Sequence, residues 1–417
     1  MKNNFFTILK YCLFLLFVFC TDYQSKNNKL GLLSNYNNDV SNPISQKINL
    51  DSTSNGGTIT FQNIGSAGWY PSRRDPASGQ CDAINNGSCC MTKHYLTSDS
   101  LTPWNEELIM TLRGPMIVKQ IAVYQPSSNK NQWDQVSLWD DKSPTNLKGI
   151  AFKGNNTETK GFDGIVGNLC LVDVSTNKVF PCGPGSIPYC PSGSTQYYGW
   201  EGSKLIIVLA YMPHVSSNVI DNSKHCSTDP SNGWYDAPWI GLSHGELVRS
   251  GKFGSCHCYA KDPSQWYLAD GCGQFNVFEI VNDNNNYQNF DVFSTNFFGY
   301  GGYVGEGPCG KNCNVSNLDT RVDLINKSNS TEKIGGATAS PQKGPGAAFR
   351  RPANGYRYFI MLLDVDTRTV QLALIHPANV PASIQTLLPL LPLQVSRETI
   401  NNLLALRLPV SNSSVIR

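Results

Sequence analysis

The chain has 417 residues, which at roughly 100–200 residues per domain is enough for two or three domains. Charged residues make up only 15% of it, whereas 36 Gly and 24 Pro favour turns and short strands over long helices. The formal net charge is +2, so electrostatic attraction to phosphate or to an anionic membrane is not expected. The composition argues against coiled coils and helical repeats and predicts no nucleic-acid partner.

Residues 1–20 have the pattern of a secretory signal peptide. Lys2 supplies the positive start, residues 11–19 (YCLFLLFVF) are apolar, and Val18 and Cys20 occupy the −3 and −1 positions of a cleavage site. A membrane anchor is the alternative, but a bilayer requires about 20 apolar residues. The sequence therefore predicts a secreted protein with no membrane association after cleavage of the signal.

Cysteine usage agrees with secretion. Of the 14 Cys, Cys12 and Cys20 belong to the predicted signal peptide, and the remaining 12 form an even set. In an oxidising compartment these should pair as disulfides, with a connectivity that the sequence leaves open. Zinc binding by residues 256–258 (Cys-His-Cys) with Cys272 is disfavoured by the spacing, so we expect no metal and no cofactor. Sequons that predict N-glycosylation begin at Asn86, Asn155, Asn314, Asn326, Asn329 and Asn412.

Composition divides the chain into segments. Residues 21–56 are rich in Asn and Ser and predict a disordered spacer. Residues 57–126 contain short strand-like runs and predict a small glycine-rich β module. Residues 127–195 are predicted as a connecting region with weak structure. Residues 196–378 predict a β-sandwich, and residues 379–417 predict a tail.

The predicted sandwich has apolar runs separated by turn-rich loops without alternating helices, which favours antiparallel strands over a βαβ fold. In residues 204–213 (KLIIVLAYMP) both faces are apolar, so we expect a buried strand. The other runs are 272–281, 289–298, 356–366 and 369–375. Residues 396–407 in the tail predict a helix that Ser396 caps and Pro409 stops. The predicted fold class is therefore mainly β.

Residues 271–281, GCGQFNVFEIV, resemble a motif of the secreted fungal-type cell-wall proteins of the yeast target-of-SBF type. Two earlier segments, 57–70 (GTITFQNIGSAGWY) and 102–126 (TPWNEELIMTLRGPMIVKQIAVYQP), resemble the glycine-rich amino-terminal domain of that family. The runs 204–213, 236–259, 271–281 and 349–372 resemble its glycosyl hydrolase domain in the same order.

The resemblance implies a small N-terminal β module plus a jelly-roll (concanavalin-like) β-sandwich, similar to glycoside hydrolase family 16. It also implies a location in the cell wall and a partner that is β-1,3-glucan or another cell-wall polysaccharide. The activity it implies is that of a glucan endo-1,3-beta-D-glucosidase acting by retaining double displacement.

The family motif, Gly-Cys-Gly-Glu-x-Asp-x-x-Glu, implies catalytic roles for three positions. Glu279 falls at the acid/base position, Gln274 at the nucleophile position and Asn276 at the middle acid. Residues i and i+2 of a strand share a face, and a bulge before residue i+5 brings its side chain to that face as well. Two carboxylates about 5–5.5 Å apart would then flank the glycosidic bond.

The amides at two of these positions leave two functions open. An amide cannot form the glycosyl-enzyme ester, so double displacement through Gln274 should fail, although the shape needed for sugar binding is kept. One function is a glucanase in which Asp270 or Asp283 replaces the missing carboxylate. The other is a non-catalytic glucan-binding or wall-structural protein. A third reading of the sequence is that Gln274, Asn276 and Glu279 are ordinary polar residues of a half-buried strand.

Aromatic residues near the motif predict sugar-binding surfaces, although any one of them can instead belong to the core. They are Trp234, Trp239, Tyr259 and Trp266. Each ring offers a flat apolar face on which a pyranose can lie. The Gly- and aromatic-rich run 294–307 could line the same groove.

A competing motif lies at residues 241–245, Gly-Leu-Ser-His-Gly, which fit the nucleophile elbow of α/β-hydrolases. Asp366 and His376 follow in the chain order of that triad. The motif requires a strand, a turn and a helix within a parallel sheet, but the preceding residues DAPWI make a poor strand and no βαβ pattern surrounds them. We therefore expect Ser243 and His244 to be loop residues beside the sugar groove.

Overall fold

The computed structural model of the chain describes parts of both predicted β segments, the region between them and most of the tail. The described residues are 58–62, 68–74, 90–96, 101, 104–145, 147–154, 161–182, 195–232, 234–249, 271–280, 293–300, 319–322, 332–334, 337–340 and 351–406. The predicted signal peptide, the spacer, the six sequons and residues 256–258 lie outside these ranges.

Strands dominate the described residues. In chain order they are β1 (Thr58–Gln62), β2 (Gly68–Arg74), β3 (Cys90–Leu96), β4 (Leu108–Arg113), β5 (Met116–Pro126), β6 (Gln132–Asp140), β7 (Ala151–Gly154), β8 (Ile165–Val166), β9 (Leu171–Ser175), β10 (Val179–Phe180), β11 (Gln196–Tyr197), β12 (Lys204–Tyr211), β13 (Trp239–His244), β14 (Gly271–Ile280), β15 (Phe293–Tyr300), β16 (Asp319–Val322), β17 (Glu332–Ile334), β18 (Ala337–Ser340), β19 (Arg357–Asp364), β20 (Thr369–Ile375) and β21 (Gln394–Ser396).

Helical segments are short. The α-helices in the described residues are α1 (Gly245–Arg249) and α2 (Arg397–Leu404), and 3₁₀ turns cover Val215–Ser217, Asn222–Lys224, Pro377–Asn379 and Ala382–Ile384. Helix α2 confirms the helix predicted in the tail: the Ser396 hydroxyl accepts a hydrogen bond from the Thr399 N–H at 3.1 Å, and Ile400 and Leu403 are buried. In the described part of the chain, no helix has the length and apolarity needed to cross a membrane.

Two antiparallel sheets pack face to face, which confirms the predicted mainly β sandwich. The first, ten-stranded sheet has the order β17-β18-β1-β20-β19-β12-β5-β6-β21, with β8 paired to β5. The second, seven-stranded sheet has the order β16-β15-β14-β13-β4-β9-β7. Strands β2 and β3 form a separate pair, as do β10 and β11.

Apolar side chains from both sheets fill the layer between them. Val208 and Met361 of the first sheet belong to the same buried cluster as Leu112, Leu242 and Phe275 of the second. Burying each such side chain contributes about 1.5–3 kcal/mol relative to leaving it in water. This layer therefore decides which side of each strand of the second sheet faces inward.

The tail buries the opposite face of the first sheet. Ile207 and Leu362 of that sheet belong to a second cluster with Leu388, Ile400 and Leu403 of the tail. Strand β12 therefore contributes alternate residues to the two clusters, which confirms the buried strand with two apolar faces. The polar residues of a site then have to be sought on the outer face of the second sheet, which points away from both clusters.

Strand pairing crosses the predicted boundary between residues 57–126 and 196–378. Strand β1 lies between β18 and β20, β4 lies between β13 and β9, and β5 lies between β12 and β6. The two segments thus build the same two sheets, and the predicted arrangement of a separate module beside a sandwich is not what these strands form. The sequence pattern marks each strand locally, whereas its partners lie far along the chain.

The segment predicted as a weakly structured connection, residues 127–195, contributes the nine-residue strand β6 and several shorter strands. Its polar composition is misleading because buried polar side chains in β6 find distant partners. The Gln135 amide donates to the carbonyl oxygen of Leu391 at 2.8 Å, and the Ser137 hydroxyl donates to that of Gly149 at 2.6 Å. Such satisfied polar groups can be buried at little cost.

One disulfide lies within the described residues and supports the predicted oxidised state. It joins Cys170, just before β9, to Cys226, with an S–S distance of 2.05 Å and a separation of 56 residues. The bond ties the loop that precedes β13 to the second sheet.

Lys204, in β12, makes the stability of the fold depend on pH. It is fully buried, and its Nζ donates to the carbonyl oxygens of Trp104 and Glu106 at 3.2 and 3.0 Å. Burial lowers the pKa of Lys204 from 10.5 to about 7. Between these values the unfolded chain binds the proton that the folded chain has released, so the free energy of unfolding should rise with pH by up to about 1.4 kcal/mol per unit.

We predict that in Lys204→Met the free energy of unfolding rises less steeply with pH than in the wild type. The slope is measured by urea unfolding of both proteins at pH 7, 8, 9 and 10. The exposed Lys130, changed to Met, is the control and should leave the slope unchanged. Equal slopes for the Lys204 variant and the wild type would contradict the assignment.

Candidate functional site

The candidate site lies on the outer face of the second sheet, where three adjacent strands align their polar residues. Across β4, β13 and β14, the pairing aligns Arg113 with Trp239 and Glu279, Thr111 with Gly241 and Asn276, and Ile109 with Ser243 and Gln274. Alternate residues of a strand share a face, so these three rows lie on one side of the sheet. The three motif positions are thereby brought together in register.

A bulge in β14 places Glu279 on this face. Pairing with β13 shifts register between Asn276 and Phe278, which leaves Val277 as the extra residue. Val277 and Phe278 are consecutive, and both belong to the cluster between the sheets. Because two successive residues face inward, the next one, Glu279, turns outward beside Asn276. The bulge that the motif spacing required is therefore present.

The carboxylate of Glu279 accepts hydrogen bonds at both oxygens. Arg113 Nη2 lies 3.3 Å from Oε1, and the Asn276 Nδ2 donates to Oε2 at 2.6 Å. Glu279 is only 4% exposed and Asn276 is 6% exposed. Both oxygens of this buried carboxylate are therefore held by hydrogen-bond donors, one of which is a cation.

Arg113 connects the carboxylate to two aromatic rings. Its Nε donates to the carbonyl oxygen of Ala237 at 2.7 Å. Its guanidinium carbon lies 4.6 Å from the ring centroid of Trp234 and 5.5 Å from that of Trp239. Arg113 is not part of the sequence motif. The alternation of β4 nevertheless places it on the polar face together with Thr111.

The two tryptophans have different environments. Trp239 is 3% exposed, and its ring covers Gly241 so closely that a Cβ built there would lie 1.9 Å from the indole. The sequence predicted that Trp239 offers an open face to a sugar. In the structure Trp239 instead packs into the floor of the site. Trp234 is half-buried and retains exposed surface.

The loop that carries Trp234 is anchored through Asp236. One carboxylate oxygen of Asp236 lies 2.7 Å from Arg351 Nη2, and the other lies 2.8 Å from His214 Nδ1. Burial alone would raise the pKa of Asp236, but the His214 hydrogen bond and the charge of Arg351 together lower it. The Asp236 N–H also donates to the side chain of Asn168 at 3.0 Å. The loop is therefore fixed next to Arg113.

A further polar pair extends along the same face. The Thr111 hydroxyl donates to Asp173 on β9 at 2.7 Å. Three strand spacings, about 14 Å, separate β9 from β14, so Asp173 is too far away to be the second catalytic carboxylate for Glu279. The replacements considered from sequence, Asp270 and Asp283, lie outside the described residues.

Other predicted residues fall outside what the structure describes. Tyr259, Trp266 and the side chain of Gln274 belong to this group, as does the second half of the run 294–307, residues 301–307. The backbone of Gln274 is described and pairs with Ser243 in the register given above. Within the described residues, no group of three or more His, Cys, Asp or Glu side chains is placed to hold a metal ion.

The esterase alternative is wrong because its triad is not assembled. Ser243 and His244 are strand residues of β13, not loop residues, and the neighbours of β13 are antiparallel. Asp366 forms an ion pair with Lys130 at 3.1 Å, and the His376 Nδ1 accepts a hydrogen bond from a backbone N–H at 3.0 Å. Both lie at the first sheet, away from Ser243.

Comparison with protein families agrees with the resemblance seen in the sequence. A family described as "Cell wall protein YJL171C/Tos1, N-terminal" matches residues 57–126, and one described as "Cell wall protein YJL171C/Tos1, C-terminal" matches residues 172–308. Both matches are to the Tos1-type family of cell wall proteins, in agreement with the predicted resemblance. They support the predicted cell wall location.

Two curated relatives are similar to the chain. "Probable circularly permuted 1,3-beta-glucanase PGA52" of Candida albicans is 25% identical over 260 residues, covering 54% of this chain and 62% of the relative. "Probable circularly permuted 1,3-beta-glucanase YJL171C" of Saccharomyces cerevisiae is 23% identical over 275 residues, covering 57% and 64%. The chain thus spans a little under two thirds of the length of these relatives. No solved structure matches the chain.

We predict that Gly241→Ala displaces Trp239, because the new methyl group would overlap the indole. The free energy of unfolding should fall by about 1–3 kcal/mol, and the near-ultraviolet circular dichroism should change. Gly161→Ala is the matched control, since a Cβ there meets nothing within 4 Å. Identical behaviour of the two variants would show that the ring does not pack as described.

Proposed function

We propose that this cell wall protein binds β-1,3-glucan on the outer face of the second sheet, without cleaving it. The family matches and the names of the two relatives support a role related to cell wall glucan. The observation that carries the proposal is the arrangement of Trp234, Arg113 and Glu279: an aromatic ring with exposed surface, a cation and a carboxylate within one small area. Such a combination offers both stacking and hydrogen bonds to a sugar.

Several features favour binding over cleavage. Retaining hydrolysis requires a nucleophilic carboxylate and a second carboxyl that can donate a proton, about 5–5.5 Å apart. Here the nucleophile position is Gln274, and Asn276 donates to Glu279 instead of sharing a proton with it. Arg113 occupies the other carboxylate oxygen, and Glu279 is only 4% exposed. Glu279 therefore serves to hold Arg113 beside Trp234, and Trp234 provides the surface that contacts the sugar.

We predict that Trp234→Ala weakens binding of the soluble β-1,3-glucan laminarin at least tenfold, equivalent to about 1.4 kcal/mol, because the stacking surface is removed. Isothermal titration and sedimentation with insoluble β-1,3-glucan measure the effect. Tyr356→Ala removes a half-buried aromatic side chain that lies just before β19 of the first sheet, and this variant should bind as the wild type does. Unchanged affinity of the Trp234 variant would place the glucan elsewhere.

A second candidate function is hydrolysis of β-1,3-glucan, which the relatives' names favour. In that case Glu279 is the acid/base, and a carboxylate outside the described residues replaces Gln274. The test is the release of reducing sugar from laminarin by the wild type and by Glu279→Gln. Release by the wild type that is lost in the variant would establish this function and overturn the non-catalytic proposal. We expect equal, background release from both proteins.

The amide positions also predict a gain of function. Gln274→Glu combined with Asn276→Asp should create β-1,3-glucanase activity, because amide and carboxylate are nearly isosteric and the bulge need not move. Adjacent carboxylates would then favour protonation of one of them, which supplies the acid. Reducing-sugar release is compared with that of the same double variant carrying Glu279→Gln. A double variant that binds laminarin but stays inactive would show that the motif is not one step from catalysis.

A further inference from the structure

Arg113, which is not part of the sequence motif, contacts several different kinds of chemical group. It pairs with the carboxylate of Glu279 on β14, donates to the carbonyl of Ala237 in the loop before β13, and lies against the rings of Trp234 and Trp239. One side chain of β4 therefore meets an acid, a backbone oxygen and two indoles. Its two hydrogen-bonded partners, Ala237 and Glu279, lie 124 and 166 residues further along the chain.

The orientation of the guanidinium follows from these contacts. The Nε bond to Ala237 and the Nη2 contact with Glu279 fix two edges of a rigid, planar group. Its central carbon then lies over the Trp234 ring at a distance typical of cation–π contacts. The loop bearing Trp234 is also anchored through Asp236, so it stays attached without the Arg113 bond to Ala237, whereas the position of the ring depends on Arg113.

We propose that Arg113 is the positioning residue of the glucan site: paired with Glu279, it holds the Trp234 ring as the sugar platform. This inference rests on the proposed function and names the residue on which recognition of the neutral sugar depends. The Arg113–Glu279 pair carries no net charge, which matches an uncharged glucan.

The charge of the Arg113 side chain and its planar shape can be tested separately by substitution. Lysine at this position keeps the positive charge and can still approach Glu279, but it has neither the planar face nor the Nε donor. Arg113→Lys should therefore lose the placement of Trp234, whereas Arg113→Gln should lose both the placement and the ion pair. We expect laminarin affinity to fall at least tenfold in each variant.

Arg397→Gln provides the matched control. Arg397 also lies against a tryptophan, 5.2 Å from the ring centroid of Trp133, and also pairs with a carboxylate, Asp364 at 3.0 Å. It belongs to helix α2 on the far face of the first sheet. Because Arg397 is stacked and paired, its loss should lower thermal stability. Laminarin affinity should stay unchanged.

A double-variant cycle tests whether Arg113 acts through Trp234. Arg113→Lys combined with Trp234→Ala should bind laminarin no more weakly than Trp234→Ala alone. Wild-type affinity of Arg113→Lys, or fully multiplicative losses in the cycle, would overturn the inference.

A measurement without glucan separates this inference from the proposed function. Acrylamide quenching of Trp234 fluorescence, taken as the difference from matched Trp234→Phe proteins, should increase at least twofold in Arg113→Lys and stay unchanged in Arg397→Gln. If the wild type fails to bind laminarin, the proposed function fails, and the quenching result still decides whether Arg113 positions the ring. Unaltered quenching in Arg113→Lys would overturn the inference.

Discussion

The apolar layer between the two sheets determines where the site can form. Val277 and Phe278 both face this layer, and no regular strand can direct two successive side chains to one side. The strand bulges there, and Glu279 emerges next to Asn276 on the outer face. Burial of the core thus sets the geometry of the polar residues, and the site is a consequence of packing behind it.

The charges of the site follow from the same arrangement. Glu279 is almost fully buried, and a buried carboxylate without a partner costs several kcal/mol. Arg113 provides the opposite charge, and the Asn276 amide provides a donor without adding a second negative charge. An acid at position 276 would place a second carboxyl group beside Glu279 and this one arginine. The Asn276 amide instead leaves a balanced pair suited to an uncharged ligand.

Both family segments are needed to build this face. Arg113 comes from the region matched by the N-terminal family description, and Trp239 and Glu279 come from the region matched by the C-terminal one. Their strands are neighbours in one sheet, in the order β14-β13-β4. The two segments therefore act as parts of one sandwich, and a change in either alters the same site.

The sequence by itself determined strands such as β12, β14 and β19, the sandwich class, the helix after Ser396 and the spacing of Asn276 and Glu279, because these depend on local alternation, capping and a short motif. It could not reveal Arg113 as a partner of Glu279, since 166 residues separate them and nothing in β4 marks which strand lies beside it. Strand β6 was hidden for a similar reason, because Gln135 and Ser137 are satisfied by distant carbonyl oxygens. Only the tertiary structure decides such pairings, since hydrogen bonds between strands are formed by backbone N–H and C=O groups that every residue type except proline carries.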